Sequence, residues 1–153
     1  MTHSISSAQA LKKAAAFCAA SERCVADVQG KLSLWGVPAA EQQTLIERLI
    51  AEKFIDEARY ASAFVRDKFQ FNGWGTVKIG GMLRRKQLPE YVIVQALETI
   101  DEDDYQQKLA QLIATKRKQL KTADPYQCNA QLFRFAASRG FEHQLIAKIL
   151  QIE

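Results

Sequence analysis

Apolar residues recur every three or four positions along most of the chain, and alternating β-branched runs are nearly absent. That spacing is the period of an α-helix with one buried face, so the pattern predicts an all-α protein. Only three prolines and seven glycines punctuate it. Pro38 and Pro89 each follow a short apolar step, Gly36-Val37 and Gln87-Leu88, and each opens an amphipathic run. A helix tolerates proline at its start, where the missing N–H would have no partner anyway. Arg139-Gly140-Phe141 has the same pattern without the proline.

Val37, Leu88 and Phe141 serve as anchors for a repeat, with spacings of 51 and 53 residues. Eight and nine residues after each anchor lie Leu45 and Ile46, Ala96 and Leu97, and Ile149 and Leu150. Nine and five residues before each lie Val28 and Leu32, Ile79 and Leu83, and Leu132 and Ala136. The same helix–turn–helix is therefore expected three times. A third helix is expected upstream of each pair, over Ala8 to Ala20, Glu57 to Phe69 and Asp104 to Leu120. Acidic residues near Asp56 and over Asp101 to Asp104 suit the positive end of a helix and mark the boundaries. Thr122-Ala123-Asp124-Pro125 reads as a turn inside the third unit. The expected organisation is three tandem three-helix repeats, residues 1–54, 55–101 and 102–153. A unit of about 50 residues buries too little alone, so the units should stack into an elongated, curved molecule.

Composition adds exclusions. In 153 residues, 48% are hydrophobic and 25% charged, which rules out a disordered or collagen-like chain. Cys18, Cys24 and Cys128 form no CxxC pair, which argues against a disulfide framework or zinc ribbon and fits a reducing cytoplasm. The polar start and Lys12-Lys13 argue against a signal peptide, and no window has the roughly 20 apolar residues of a membrane span. A cytoplasmic monomer is expected.

Candidate chemistry is sparse. His3 lies in a tail, and His143, beside Glu142 on the last helix, reads as a solvated residue. The three cysteines read as small buried apolar residues. Asn72-Gly73-Trp74-Gly75-Thr76 lacks the Lys-Ser/Thr ending of a phosphate loop and reads as the turn that starts the next helix. The acidic pairs read as helix caps. No catalytic residue, cofactor or metal site is expected, and the chain is not expected to be an enzyme.

The positive charge remains to be placed. Lys plus Arg number 21 against 17 acidic residues, and residues 105–153 carry eight cations against three anions. Arg84-Arg85-Lys86 and Lys116-Arg117-Lys118 close two expected helices. Such residues stabilise a helix C-terminus, and along a stacked array they can equally line one face for a phosphate backbone or an acidic groove. Tyr60, Trp74 and Tyr126 read as core residues, with base stacking as the alternative.

The chain also resembles a known family, the RecX regulatory proteins. The resemblance runs from about Ala10 to Leu150, and its most specific piece is Phe54-Ile55-Asp56-Glu57-Ala58-Arg59-Tyr60-Ala61. Gly75-Thr76-Val77-Lys78-Ile79 leading to Leu83, Lys86 and Leu88 is the second piece. Asp27-Val28-Gln29-Gly30-Lys31-Leu32 echoes the first unit, and Arg139-Gly140-Phe141 with Ile146 and Leu150 the third. Gln87 departs where the family often has Gly, and Cys24 where it often has Ser. The resemblance implies tandem three-helix units that bind the RecA recombinase filament on single- or double-stranded DNA, in its helical groove. It further implies a modulator, generally an inhibitor, of RecA ATP hydrolysis and strand exchange in DNA recombination and repair. Charge nominates Arg59, Lys78, Arg84, Arg85, Lys86, Lys116, Arg117, Lys118 and Arg139 as the face toward partner and DNA. The alternatives are direct helix–turn–helix DNA binding, disfavoured by Gly80 and Gly81 on the would-be reading helix, and a helical-repeat scaffold.

Overall fold

A computed structural model describes residues 5–151, which form nine α-helices and no strand. They are α1 Ser7–Ala20, α2 Val25–Leu34, α3 Ala39–Ala51, α4 Glu57–Gln70, α5 Thr76–Arg85, α6 Glu90–Leu97, α7 Glu102–Gln119, α8 Pro125–Ser138 and α9 His143–Leu150. The packing runs in triplets, α1 to α3, α4 to α6 and α7 to α9. No described helix is long and apolar enough to cross a membrane.

Short polar side chains start the helices by accepting N–H groups that have no intrahelical partner. Ser6 and Gln9 form a reciprocal capping box at α1. Asp56 accepts the Arg59 N–H, Asp101 the Asp104 N–H, and Asp124 the Tyr126 N–H with Pro125 directly behind it. The acidic residues expected as caps take that role.

The repeat shows most plainly where the second helix of each triplet ends. Gly36, Gln87 and Gly140 all have left-handed backbone, with φ of 79°, 65° and 93°. Each is followed by an anchor whose N–H closes a six-residue loop: Val37 to the Leu32 carbonyl at 2.9 Å, Leu88 to Leu83 at 3.4 Å and Phe141 to Ala136 at 3.3 Å. This is the Schellman stop, in which a left-handed residue lets the chain turn back and satisfy helix-end carbonyls. Pro38, Pro89 and Glu142 then occupy the same N-cap position, with φ of −61°, −61° and −66°. The three anchors are buried, as are Val28, Leu32, Ile79, Leu83, Leu132 and Ala136 before them.

Two cores result. One lies within α1 to α3 and contains Leu32, Leu49 and Ile55; the other runs continuously through α4 to α9 and takes in Cys24 from the start of α2. The accessible surface of 9787 Å² exceeds the roughly 7,800 Å² of a compact monomer of this mass, so the molecule is elongated.

The two joints between triplets differ in chemistry. At the first, Lys86 Nζ meets Asp27 Oδ1 at 2.7 Å and Arg59 Nε meets Glu22 Oε1 at 2.7 Å. There Glu57 also accepts the Val25 N–H at 3.2 Å. At the second, backbone meets backbone: Gly75 N–H donates to the Arg139 carbonyl at 2.8 Å and Val77 N–H to the Gly140 carbonyl at 3.0 Å. A Cβ on Gly75 would fall 2.4 Å from the Gly140 oxygen, so only glycine permits this approach. Tyr105 closes the joint. Its hydroxyl accepts the Thr76 N–H at 3.0 Å and donates to Glu142 at 2.6 Å, while its ring packs 5.1 Å from that of Phe141.

Candidate functional site

The nine nominated cations fall into three sets. Arg59, Arg84 and Lys86 are held by carboxylates. Arg84 meets Glu90 Oε1 at 2.7 Å, and Arg59 also donates to the Lys53 carbonyl at 3.1 Å. These pairs raise all three basic groups, the hydrogen bond that each cation donates to its carboxylate being the largest cause. Burial pushes the Asp27 carboxyl up, but the Lys86 ammonium and the Cys24 N–H outweigh it and hold Asp27 below its ordinary range.

Lys78, Lys116 and Arg139 stand over aromatic rings. Lys78 Nζ lies 4.2 Å from the centre of Trp74, and Lys116 and Arg139 lie 5.3 and 5.1 Å from that of Phe135. A cation over a ring face is attracted by its electron-rich centre, an effect of about 0.5–1 kcal/mol where water has access. The last three, Arg85, Arg117 and Lys118, are exposed and have no carboxylate partner among the described residues.

The second set is the nucleus of a site. Lys68 Nζ joins Lys78 at Trp74, 5.0 Å from the ring centre, and Arg139 donates to the Asn72 carbonyl at 3.0 Å. Gly73 packs on Leu112 of α7, and Lys108 Nζ reaches the Gln70 carbonyl at 3.3 Å. Five cations therefore surround the end of α4, the turn to α5 and the facing sides of α7 and α8. A groove of about 410 Å³ beside them is lined by Lys108, Gln111, Leu112, Thr115, Lys116, Gln119, Phe135 and Arg139, with no carboxylate among them. Such a surface attracts anions; it brings no nucleophile and general base together.

Among the described residues, no group of three or more His, Cys, Asp or Glu side chains is placed to hold a metal ion. Cys18 and Cys24 are buried, and burial pushes both thiols up; Cys128 is only half-buried, contrary to the expectation of a buried residue. His143 is exposed, its ring 5.2 Å from Phe133, and His3 lies outside the described residues. Tyr60 is core, but Tyr126 is 83% exposed and corrects the core reading, because it sits on the outer face of α8 just after the Asp124 cap. Trp74 is half-buried under its two lysines.

A family model described as the second three-helix domain of RecX matches residues 56–97, from the cap of α4 to the last residue of α6. The regulatory protein RecX of Clostridium botulinum strain Eklund 17B is 29% identical over 126 residues, covering 81% of this chain and 58% of that protein. That of Mycobacterium avium is 25% identical over 135 residues, covering 88% and 78%. The crystal structure of RecX from Lactobacillus salivarius superposes with a TM-score of 0.84 at 18% identity, covering 95% of this chain and 94% of the other. Together these matches support a RecX-family protein. It spans about 58% of the length of the clostridial RecX proteins it matches.

The structure accounts for the RecX-like motif at Asp56 to Ala61. Asp56 caps α4, Glu57 accepts an N–H at the start of α2, Arg59 pairs with Glu22, and Tyr60 and Ala61 are core. The motif thus builds the first joint. Five of the nine nominated cations, Arg59, Lys78, Arg84, Arg85 and Lys86, lie within the matched RecX domain. Lys68 and Lys108 were missed in the sequence because each is a single cation in a mixed run. Lys68 had a local signal in Phe64, four residues before it and 5.5 Å away, whereas Lys108 had none, because Phe69, whose ring centre is 5.6 Å away, lies 39 residues off in the chain.

Proposed function

We propose that this RecX-family chain regulates the RecA recombinase by binding along the RecA filament on DNA, in its helical groove, where it inhibits ATP hydrolysis and strand exchange. The observation that carries this reading is the groove between α7 and α8, lined by Lys108, Lys116 and Arg139 with no carboxylate. An elongated array suits a helical groove, because successive units can follow it without a deep pocket. The relatives bear the name regulatory protein, and the basic site here offers charge and shape rather than a reaction centre. On this reading the chain is a monomer of three repeats, residues 1–54, 55–101 and 102–153. It needs no cofactor and works in the cytoplasm, and its contacts come mainly from Lys78, Arg85, Lys116, Arg117, Lys118 and Arg139. Arg59, Arg84 and Lys86 serve the frame first, since a cation held at 2.7 Å by a carboxylate has less charge to offer a partner.

The test is DNA-stimulated ATP hydrolysis by a cognate RecA, titrated at fixed salt with the wild type and with a variant carrying alanine at Lys116, Arg117 and Lys118. Inhibition by the wild type, with the half-inhibitory concentration raised at least tenfold in the variant, is the expected result. Undiminished hydrolysis at saturating wild-type protein would remove the regulator reading. Direct DNA binding would then remain, and it predicts a steep fall of duplex affinity with salt in the absence of RecA.

A further inference from the structure

The repeat provides its own reference for what the second joint lacks. Ten residues before their anchors stand Asp27 in the first triplet and Lys78 in the second; two residues before the next anchors stand Lys86 and Arg139. At the first joint these two positions form an ion pair, Lys86 Nζ to Asp27 Oδ1 at 2.7 Å. At the second joint the same two positions are both cationic, and the backbones remain adjacent: a Cβ built on Gly140 would lie 2.2 Å from the Cβ of Lys78. Neither cation has a carboxylate partner among the described residues. Lys116 adds a third positive charge over the Phe135 ring that Arg139 also covers. Like charges gathered at one place repel unless an anion sits between them.

We propose that the second joint is a docking site for an acidic segment of a partner protein, with an Asp or Glu carboxylate held by Lys78 and Arg139 as Asp27 is held by Lys86. This deepens the reading above and rests on it for the identity of the partner. Two observations favour a protein carboxylate over a nucleic acid. The occupant that the repeat itself supplies at the first joint is a carboxylate. The aromatic rings at the second joint are already covered, Trp74 by Lys68 and Lys78 and Phe135 by Lys116 and Arg139, which makes them poor platforms for nucleobases.

The experiment measures fluorescence anisotropy of a labelled Glu-rich decapeptide and of a labelled ten-nucleotide oligothymidylate, each titrated with the full chain at the same salt. Lys78→Asp installs at the second joint the residue that the first joint carries and so fills the site from within. Lys12→Asp makes the same change in net charge at an exposed position on α1. Peptide affinity should fall about tenfold for Lys78→Asp and less than twofold for Lys12→Asp, on the scale expected for charge pairs at an accessible surface. Thermal melts followed by circular dichroism check the fold, and Lys78→Gln, with about a threefold loss expected, replaces Lys78→Asp if that variant is loosened. Equal peptide binding by wild type and both Lys78 variants overturns the proposal, as does a Lys78-dependent loss confined to the oligonucleotide. Loss of RecA inhibition with the peptide result intact would remove the function reading and leave this site standing.

Discussion

Gly75→Ala isolates the close backbone approach at the second joint. Gly75 has φ of −84°, which alanine adopts without strain, so the whole penalty comes from the neighbour rather than from the backbone conformation. The added methyl would lie 2.4 Å from the Gly140 oxygen and 2.6 Å from the Phe141 nitrogen, and those are main-chain atoms with no rotamer to escape into. The two triplets must separate there, breaking the Gly75-to-Arg139 and Val77-to-Gly140 hydrogen bonds at 2.8 and 3.0 Å. Leaving a buried donor or acceptor without a partner costs about 1–3 kcal/mol, so two such bonds amount to about 2–6 kcal/mol. Alanine recovers about 1 kcal/mol by narrowing the unfolded ensemble, for a net loss of about 1–5 kcal/mol. In a chain of this size that lowers the melting temperature by roughly 2–20 °C. Gly30 is the control, because it lies exposed inside α2 with nothing within 4 Å of an added Cβ. Alanine there should stabilise by about 0.5–1 kcal/mol through helix propensity. Urea unfolding of the three proteins is the assay, with amide exchange of Val77 as the local readout. A Gly75→Ala midpoint equal to that of the wild type, with Val77 still protected, would refute the reasoning.

Two further outcomes follow from the joints and turns. Gln87 holds a φ of 65° that glycine adopts freely, so Gln87→Gly should raise the urea midpoint, by about 1 kcal/mol if the left-handed strain outweighs the added chain entropy; a lower midpoint would show that the Gln87 side chain has a stabilising role. Asp27 is held below its unfolded value, so its contribution is present above that value and lost as pH falls through the folded one. Wild-type stability should therefore drop more steeply below about pH 4 than that of Asp27→Asn, by about 1 kcal/mol since Lys86 is half exposed.

Helices were legible because their evidence is local. The apolar period, the caps at Asp56, Asp101 and Asp124 and the stops at Gly36 and Gly140 each lie within a few residues of the feature they specify. Even the Gln87 departure was marked by position, since only the repeat made a glycine expected there. The basic site was less legible because charge neutralisation is a tertiary fact. Lys86 finds Asp27 59 residues away and Arg59 finds Glu22 37 residues away, distances at which a charge count treats a strut and a free cation alike. The Thr76–Tyr105–Glu142 network was missed for the same reason, its members being three ordinary residues from three helix ends.

The division of the interior into two cores sets how the molecule comes apart. Helices α4 to α9 share one continuous apolar interior, whereas α1 to α3 have their own and are tied on mainly by ion pairs and the Cys24 contact. In a linear array, stability is a sum of unit and interface contributions, so a weak interface separates the units on heating. The first triplet is thus a cooperative block of its own: salt that screens Asp27–Lys86 and Glu22–Arg59 lowers its opening free energy while leaving the larger block unchanged. Calorimetry would register this as a transition broader than a single two-state event, with the separation between blocks widening as ionic strength rises.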